Sequence, residues 1–252
     1  MKKYGSVVLA CLLAGCSGKV AEMMSSAPPS AVYVLIDISA STDSDRVRSQ
    51  VRKDFDTILS VWKNKGGVLR GDVIGGNSLN ESTVPIRVSI PAYNVLTSEE
   101  QYHEKKVVGP ALEQAHQQLE QALQTEASQK SAILGAISVA AKVLNGDELR
   151  QSGHRALVVF SDMVEESDLY NFQRDALSDS RIAAILKAER ESGRIPNLKG
   201  VRVWKAGAAS GELKETKARQ LEKFWLEYFH AAGADVAKER YASALLDFGL
   251  NW

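Results

Sequence analysis

An apolar, strand-forming run at residues 32–36 is followed at once by Asp37, Ser39 and Ser41. A short continuous run of this kind is typical of a strand that is buried on both faces in a parallel sheet. Open α/β sheets bind their ligands in the loops beyond the carboxyl ends of such strands. Because carboxylate and hydroxyl oxygens at this spacing can surround one small divalent cation, the segment predicts metal-dependent recognition.

The rest of the chain alternates helix-forming and strand-forming segments. Apolar residues at helical spacing predict helices over residues 44–62, 98–126, 131–144, 169–172, 178–191 and 217–232. Apolar and β-branched runs predict strands over residues 68–74, 84–90, 156–160, 201–204 and 242–248. This alternation predicts an α/β fold with a doubly wound, mostly parallel sheet flanked by helices.

Local signals refine this expectation at two places. The glycine-rich connection at residues 75–78 suits a hairpin, and Pro85 suits a sheet edge, so we expect one antiparallel edge strand. The polar stretch at about residues 95–126 is interpreted as a helical insertion that gives the chain its own partner specificity. Gly109 and Pro110 leave open whether this helix is broken.

The N-terminus carries two lysines, an apolar segment at residues 7–13 and the tetrapeptide Leu-Ala-Gly-Cys at residues 13–16. The apolar segment is too short to span a bilayer, and the arrangement resembles the lipobox of a bacterial lipoprotein signal peptide. We therefore expect residues 1–15 to be removed, Cys16 to be lipidated, and residues 16–30 to form a tether. The alternative is an ordinary secretory signal with an incidental cysteine.

The residue after Cys16 also bears on location. Ser17 stands there rather than an aspartate, which by resemblance to lipoproteins of Gram-negative bacteria favours the outer membrane. We expect a lipid-anchored protein of the bacterial cell envelope that faces the periplasm or the surface. Its contact with the membrane would be through the lipid anchor only.

Composition excludes several classes of function. The chain has 31 basic and 31 acidic side chains, which implies no basic face for nucleic acid. Its only cysteine besides Cys16 is Cys11, inside the predicted signal peptide, so the mature chain has no disulfide framework and no thiolate metal site. There is no phosphate-cradling glycine loop and no nucleophile elbow, so we expect neither an enzyme nor a small-molecule substrate.

Three segments together resemble the von Willebrand factor A-like (vWA) family. They are the strand that ends in Asp37-Ile38-Ser39-Ala40-Ser41, the hydroxyl of Ser131 before a buried helix, and the strand that ends in Ser161-Asp162. The resemblance covers residues 31–248, and it implies a single vWA-like domain over residues 31–252. It also implies that the family's metal-ion-dependent adhesion site is present.

By this resemblance, the metal ligands would be Asp37, Ser39, Ser41, Ser131 and Asp162. The serine hydroxyls would bind one Mg²⁺ ion, or Mn²⁺ or Ca²⁺, directly, while the aspartates would hold the ion or its waters. Neutral hydroxyls leave much of the charge of the cation uncompensated. The ion can then accept an acidic side chain from a protein partner, which is the adhesion mechanism that the resemblance implies.

The chain departs from the family pattern at two positions. Ser131 stands where threonine is usual, and Ser128 could compete for its role. Met163, rather than the common glycine, follows Asp162. Beyond it, Glu165 and its acidic neighbours favour an acidic helix start over an acidic rim of the site.

We therefore expect a membrane-anchored lipoprotein that binds a protein partner through a divalent cation. The alternative is a metal-independent scaffold or assembly factor of an envelope secretion or conjugation machine. The least favoured hypothesis is a hydrolase that uses the metal to activate water, because the sequence supplies no suitable general base beside the predicted site.

Overall fold

The computed structural model describes residues 29–40, 42, 44–76, 85–91, 99–207, 213–245 and 248–249. The strands are β1 (Ser30–Asp37), β2 (Gly67–Ile74), β3 (Ile86–Ile90), β4 (His154–Phe160), β5 (Arg202–Ala206) and β6 (Asp235–Tyr241). The α-helices are α1 (Asp45–Lys65), α2 (Glu100–His103), α3 (Gly109–Leu123), α4 (Ile133–Leu144), α5 (Asp179–Glu191) and α6 (Glu215–Ala231). A π-helical turn, Glu104–Val108, connects α2 and α3.

The six strands form a sheet in the order β3-β2-β1-β4-β5-β6. Strand β3 is antiparallel to β2, and every other neighbouring pair is parallel. The chain leaves β1 toward one edge and β4 toward the other, so these two central strands form the topological switch point of a doubly wound sheet. The predicted fold class is confirmed, including the antiparallel edge strand.

Strand β1 divides its side chains between two hydrophobic cores. Tyr33 and Leu35 face the core that is completed by α4, α5 and α6, whereas Val34 and Ile36 face the core completed by α1 and α3. These four side chains are at most 1% exposed. Burial of an aliphatic side chain of this size contributes about 1.5–3 kcal/mol, so the central strands are held firmly in place beneath the loops at their carboxyl ends.

Helix α1 begins and ends where its sequence predicts. The side chain of Ser44 accepts a hydrogen bond from the backbone N–H of Val47, which satisfies one of the free donors of the first turn. Gly66 ends the helix with φ 69°, a backbone conformation that glycine adopts without steric cost. Its N–H closes the last turn on the carbonyl of Trp62.

Gly109 and Pro110 do not break the second helical region. The N–H of Gly109 donates to the carbonyl of Glu104, five residues earlier, so the chain widens into a π-helical turn and continues as α3. Proline has no N–H, and its ring crowds the carbonyl four residues before it. The wider turn accommodates this ring without ending the helix.

Two of the predicted elements are wrong. The segment 169–172 is irregular rather than helical. Its apolar residue Phe172 belongs to the core instead of a helix face, and its ring packs edge-on against Phe224 with the ring centroids 4.6 Å apart. The last strand lies at Asp235–Tyr241 and not at 242–248. Strand β6 is an edge strand whose central residues are charged and exposed, so it lacks the apolar run that marked the other strands.

The residues after β6 complete the core on the α1 side of the sheet. Leu245 and Phe248 are each 5% exposed and belong to the same core as α1 and α3. The ring of Phe248 lies 5.0 Å from that of Trp204 on β5. On the opposite side, the aromatic residues of α6 are fully buried; they are Phe224, Trp225, Tyr228 and Phe229.

Candidate functional site

Asp37 lies at the carboxyl end of β1, at the switch point of the sheet, and both of its carboxylate oxygens accept hydrogen bonds. Oδ1 accepts from the hydroxyl of Ser131 at 2.8 Å and from the backbone N–H of Ser39 at 2.9 Å. Oδ2 accepts from the hydroxyl of Ser161 at 2.6 Å. The three side chains of Asp37, Ser131 and Ser161 are at most 6% exposed. One buried carboxylate therefore joins the loops that follow β1, precede α4 and follow β4.

The first of these loops turns tightly above β1. The hydroxyl of Thr42 bonds to the carbonyls of Asp37 and Ser39, each at 2.9 Å. The same hydroxyl lies 3.4 Å from the hydroxyl of Ser39, which is buried with it. These contacts hold Ser39 beside Asp37, as the predicted site requires. Ser41 lies outside the described residues.

The second loop distinguishes the two candidate serines. Ser131 lies directly before α4 and points its hydroxyl at Asp37. The hydroxyl of Ser128 instead donates to the carbonyl of Lys130 at 2.7 Å and accepts from the N–H of Gly76 at 3.0 Å. Ser128 also pairs its backbone with the first loop, because Ala40 N–H donates to its carbonyl. The structure therefore gives Ser131 a place at the carboxylate and Ser128 a role in joining loops.

The third loop follows β4 and carries a strained residue. Met163 has φ 65°, and it is the only residue other than glycine with a positive φ in the part of the chain that is described. Its N–H donates to the hydroxyl of Ser161, and its carbonyl accepts from the indole of Trp225, both at 2.8 Å. A left-handed conformation costs a residue with a Cβ about 1–2 kcal/mol, so buried contacts hold this turn in place.

Asp162 is 5% exposed and organises the same turn, because its Oδ1 accepts from the N–H of Val164 at 3.0 Å. The buried ammonium group of Lys205 is close enough to interact electrostatically with Asp162. The ammonium of Lys205 on β5 donates to the carbonyl of Gly207 at 2.8 Å, and burial lowers the pKa of Lys205 to about 8, an effect that Asp162 and Glu222 partly oppose. Lys205 therefore contributes positive charge beneath the third loop.

Glu165 has a different place from the one predicted. It neither begins a helix nor lines an exposed rim: it is 1% exposed, and its Oε2 accepts from the N–H of Leu134 in the first turn of α4 at 2.9 Å. Burial raises its pKa to about 7, although this backbone hydrogen bond acts in the opposite direction. A buried carboxyl group therefore ties the third loop to the start of α4.

The donor set fits a hard divalent cation. A hydroxyl that donates to a carboxylate keeps its lone pairs as acceptors, so Ser131 can turn an oxygen toward a cation while it remains bonded to Asp37. Carboxylate and hydroxyl oxygens are ligands that Mg²⁺ takes in preference to nitrogen or sulfur. Among the described residues, no cluster of three or more His, Cys, Asp or Glu side chains offers another metal site. The assignment of ligands to Asp37, Ser39, Ser41, Ser131 and Asp162 stays a prediction.

Sequence reasoning missed three residues that build this region: Ser161, Thr42 and Lys205. The signal for Ser161 was present, since a hydroxyl after β4 falls beside Asp37 once β4 and β1 are paired in parallel. Thr42 follows the metal-binding pattern and has no motif of its own. Lys205 is a lysine within a strand, and only the folded sheet shows that its ammonium is buried.

The strand order and the antiparallel edge strand define a mixed α/β fold like those of vWA and Rossmann-type domains. No protein-family model matches the sequence, and no curated protein matches it. In the described part of the chain, no helix combines the length and the apolar character needed to cross a membrane.

Solved structures are similar in fold. The minor pilin PilB from Streptococcus sanguinis has a TM-score of 0.51 at 11% sequence identity, over 90% of this chain and 60% of that protein. The manganese-loaded TRAP protein of Plasmodium vivax has a TM-score of 0.45 at 14% identity, over 78% of this chain and 63% of TRAP. The pilus adhesin SpaC from Lactobacillus rhamnosus GG has a TM-score of 0.43 at 12% identity, over 86% of this chain and 28% of SpaC. The chain thus spans less than two thirds of each.

Proposed function

We propose that this protein is a lipid-anchored envelope protein that binds a protein partner through a divalent cation. The observation that carries the proposal is the position of Asp37, whose carboxylate gathers the hydroxyls of Ser131 and Ser161 at the switch point of the sheet. Asp37, Ser39, Ser41, Ser131 and Asp162 would hold the ion, with Cys16 as the lipidated residue. The lipid anchor is supported by sequence pattern alone.

The bound cation would supply positive charge that an acidic side chain of the partner can coordinate. The chain's own residues would keep the oxygen ligands in position beforehand. Ser161 holds one carboxylate oxygen of Asp37, and Thr42 holds the backbone beside Ser39. The role we propose is binding rather than catalysis: among the described residues, the contacts of Asp37 are with serine hydroxyls and a backbone N–H, and none is with a histidine, lysine or second carboxylate that could act as a base.

The test is a titration of the purified protein with Mg²⁺ and Mn²⁺ by calorimetry, using two serine variants from the same loop. Ser131→Ala removes the hydroxyl that bonds to Asp37, whereas Ser128→Ala removes one that bonds elsewhere. We expect one ion per chain, at least about tenfold weaker binding in Ser131→Ala, and little change in Ser128→Ala. Asp37→Ala should abolish binding.

The partner is tested by capture from envelope extract in Mg²⁺ and in chelator, with the wild type and the Asp37→Ala variant compared. A protein retained only by the wild type in Mg²⁺ supports the proposal. Metal binding that is equal in the two serine variants, or partner capture that survives both chelator and Asp37→Ala, contradicts it.

One observation favours a second function, a metal-independent scaffold of an envelope machine. Both oxygens of Asp37 already accept hydrogen bonds from within the chain, so the carboxylate can tie three loops together without an ion. This alternative expects partner capture to persist in chelator. It also expects the loss of Asp37 to lower folding stability rather than to remove a specific affinity.

A further inference from the structure

A groove of about 710 Å³ lies along α4, between this helix and the segments that follow β4 and α5. Leu134 and Ala141 of α4 line one wall, and Leu169 and Pro196 contribute to the other. Sites that bind ligands or partner side chains usually have volumes of about 300–1,000 Å³ and walls that are mostly apolar. The groove has the size and the lining to receive one or more apolar side chains.

One end of the groove adjoins the loops around Asp37. Gly76 and Ala132 line that end, and Ala132 follows Ser131 directly in the chain. The N–H of Ala132 donates to the carbonyl of Gly75, so the end wall is a fixed junction between two loops. A polypeptide that reaches the carboxyl end of β1 can therefore continue into the groove.

Three basic and three acidic side chains line the groove, and the acidic ones are the more fully occupied by contacts within the chain. Asp168 is paired with Lys130 at 2.5 Å, and Glu189 with Arg194 at 2.7 Å. Lys142 is exposed and has no ion pair among the described residues. Arg150 also lines the groove, and its contact with Asp147 is long, at 3.5 Å between exposed groups. An acidic segment is therefore the complementary ligand.

Leu169 marks the rim of the groove. Its side chain is 61% exposed. In the described part of the chain, Leu169 and Tyr102 are the two large hydrophobic residues that are exposed, and they lie on different segments. Glu165 lies at the base, where burial raises its pKa to about 7 and so reduces its negative charge at neutral pH. The groove thus combines an apolar rim with a base that does not strongly repel an acidic ligand.

We propose that the groove along α4 is a second contact for the protein partner and binds a segment that combines leucine-like side chains with acidic residues. The apolar side chains lie between Leu134 and Leu169, and the acidic residues lie against Lys142 and Arg150. This inference rests on the proposal that the protein binds a protein partner, but it does not depend on the metal ion.

The test uses the full chain in chelator and fluorescently labelled peptides, with anisotropy as the readout. The probes are acetyl-Glu-Leu-Leu-Glu-amide, its basic analogue acetyl-Lys-Leu-Leu-Lys-amide, and its polar analogue acetyl-Glu-Ser-Ser-Glu-amide. We expect the first peptide to bind at least about fivefold more tightly than either analogue. Equal binding of the acidic and basic leucine peptides, or no saturable binding of the first, overturns the proposal.

Two exposed residues of the groove have matched controls elsewhere on the surface. Leu169→Ser is compared with Tyr102→Ser, and Lys142→Glu with Lys53→Glu on α1. We expect each groove variant to weaken the acidic leucine peptide about three- to tenfold, and each control to change it less than twofold. Groove variants that behave like their controls overturn the assignment.

The same peptides separate this inference from the metal site. In chelator the proposed metal site holds no ion, so the dissociation constant of the acidic leucine peptide reports on the groove alone. If the metal titration fails but the groove variants behave as expected, the groove stands without the cation. If the metal titration succeeds but the peptide results fail, the groove is not a partner contact.

Discussion

The hydroxyl of Ser161 donates a hydrogen bond of 2.6 Å to Oδ2 of Asp37, across two parallel strands that are neighbours in the sheet. Both side chains are buried, so neither has water as an alternative partner. Removal of one member leaves a buried polar atom of the other unsatisfied, which costs about 1–3 kcal/mol. The contact is therefore a structural requirement as well as a feature of the proposed metal centre.

We predict that Ser161→Ala lowers the free energy of unfolding by about 1–3 kcal/mol, because Oδ2 of Asp37 and the N–H of Met163 both lose the hydroxyl as a partner. Urea denaturation of the variant and the wild type, monitored by circular dichroism, measures this difference. Ser89→Ala is the matched control, since Ser89 is exposed on β3, and we expect a change below about 0.5 kcal/mol. Equal losses in the two variants would contradict a special role for the Asp37 contact.

We predict that the free energy of unfolding decreases from the wild type to Met163→Gly and decreases further in Met163→Ala. Both replacements lose a fully buried side chain, which costs about 2–5 kcal/mol. Glycine recovers the cost of the left-handed backbone at φ 65°, whereas alanine does not. Met163→Gly should therefore be about 1 kcal/mol more stable than Met163→Ala in chemical denaturation. A more stable alanine variant would show that the turn relaxes out of its left-handed conformation.

Glu165 should make the stability of the protein depend on pH between about 4.5 and 7. Its pKa is raised in the folded state from an ordinary value of 4.5 to about 7, chiefly by burial, and nearby Glu189 acts in the same direction. The folded state then holds the proton more tightly than the unfolded state. The contribution is fully present below pH 4.5 and is lost as the pH rises through about 7.

The variant Glu165→Gln isolates this effect, because the amide keeps an acceptor for the N–H of Leu134 and cannot ionise. We predict that wild-type stability relative to Glu165→Gln falls by on the order of 2–3 kcal/mol from pH 4.5 to pH 8. Asp168→Asn, at an exposed carboxylate three residues further on, serves as the control. A difference between wild type and Glu165→Gln that is constant with pH would refute the raised pKa.

The edge of the sheet is protected by a glutamine of α3. The side-chain carbonyl of Gln118 accepts a hydrogen bond from the backbone N–H of Arg87 on β3 at 2.9 Å. Edge strands with unpaired backbone groups promote association, and a side chain that occupies such a group blocks it. The glutamine-rich composition of this helix therefore has a structural function beside any role in partner specificity.

We predict that Gln118→Ala lowers stability by about 0.5–1.5 kcal/mol and increases self-association at high protein concentration. Gln117→Ala is the control, since Gln117 contacts Glu113 on its own helix and not the strand. Denaturation and sedimentation velocity measure the two effects. If both glutamine variants remain equally stable and monomeric, the protection of the edge lies elsewhere.

The elements predicted correctly are those whose sequence carries a local signal. Strands β1 and β4 have apolar runs at residues 31–36 and 156–160 because these residues are buried on both faces of the sheet, and α1 has a capping serine and a terminal glycine. Strand β6 has no such signal, since Lys238 and Glu239 near its centre are charged and exposed at the edge of the sheet. The left-handed backbone of Met163 also lacks a local signal, because methionine does not mark a position with a positive φ.

The candidate site was predictable to the extent that strand ends could be recognised. Asp37 and Ser131 meet because three strand and helix ends converge at one edge of the sheet. The contribution of Ser161 required one further step, the recognition that β4 pairs with β1 in parallel and so brings the hydroxyl after β4 beside Asp37. The burial of Lys205 and Glu165 depends on how the helices pack over the sheet, so sequence reasoning could not place either charge.

The contacts of Asp37 reach across 94 positions of the chain to Ser131 and across 124 positions to Ser161. No short fragment contains all three residues, and an unfolded chain holds them apart. A ligand bound at this point would therefore recognise only the native state and would stabilise it by mass action. Occupancy of the site would report directly on whether the central strands β1 and β4 had paired and the start of α4 had packed against them.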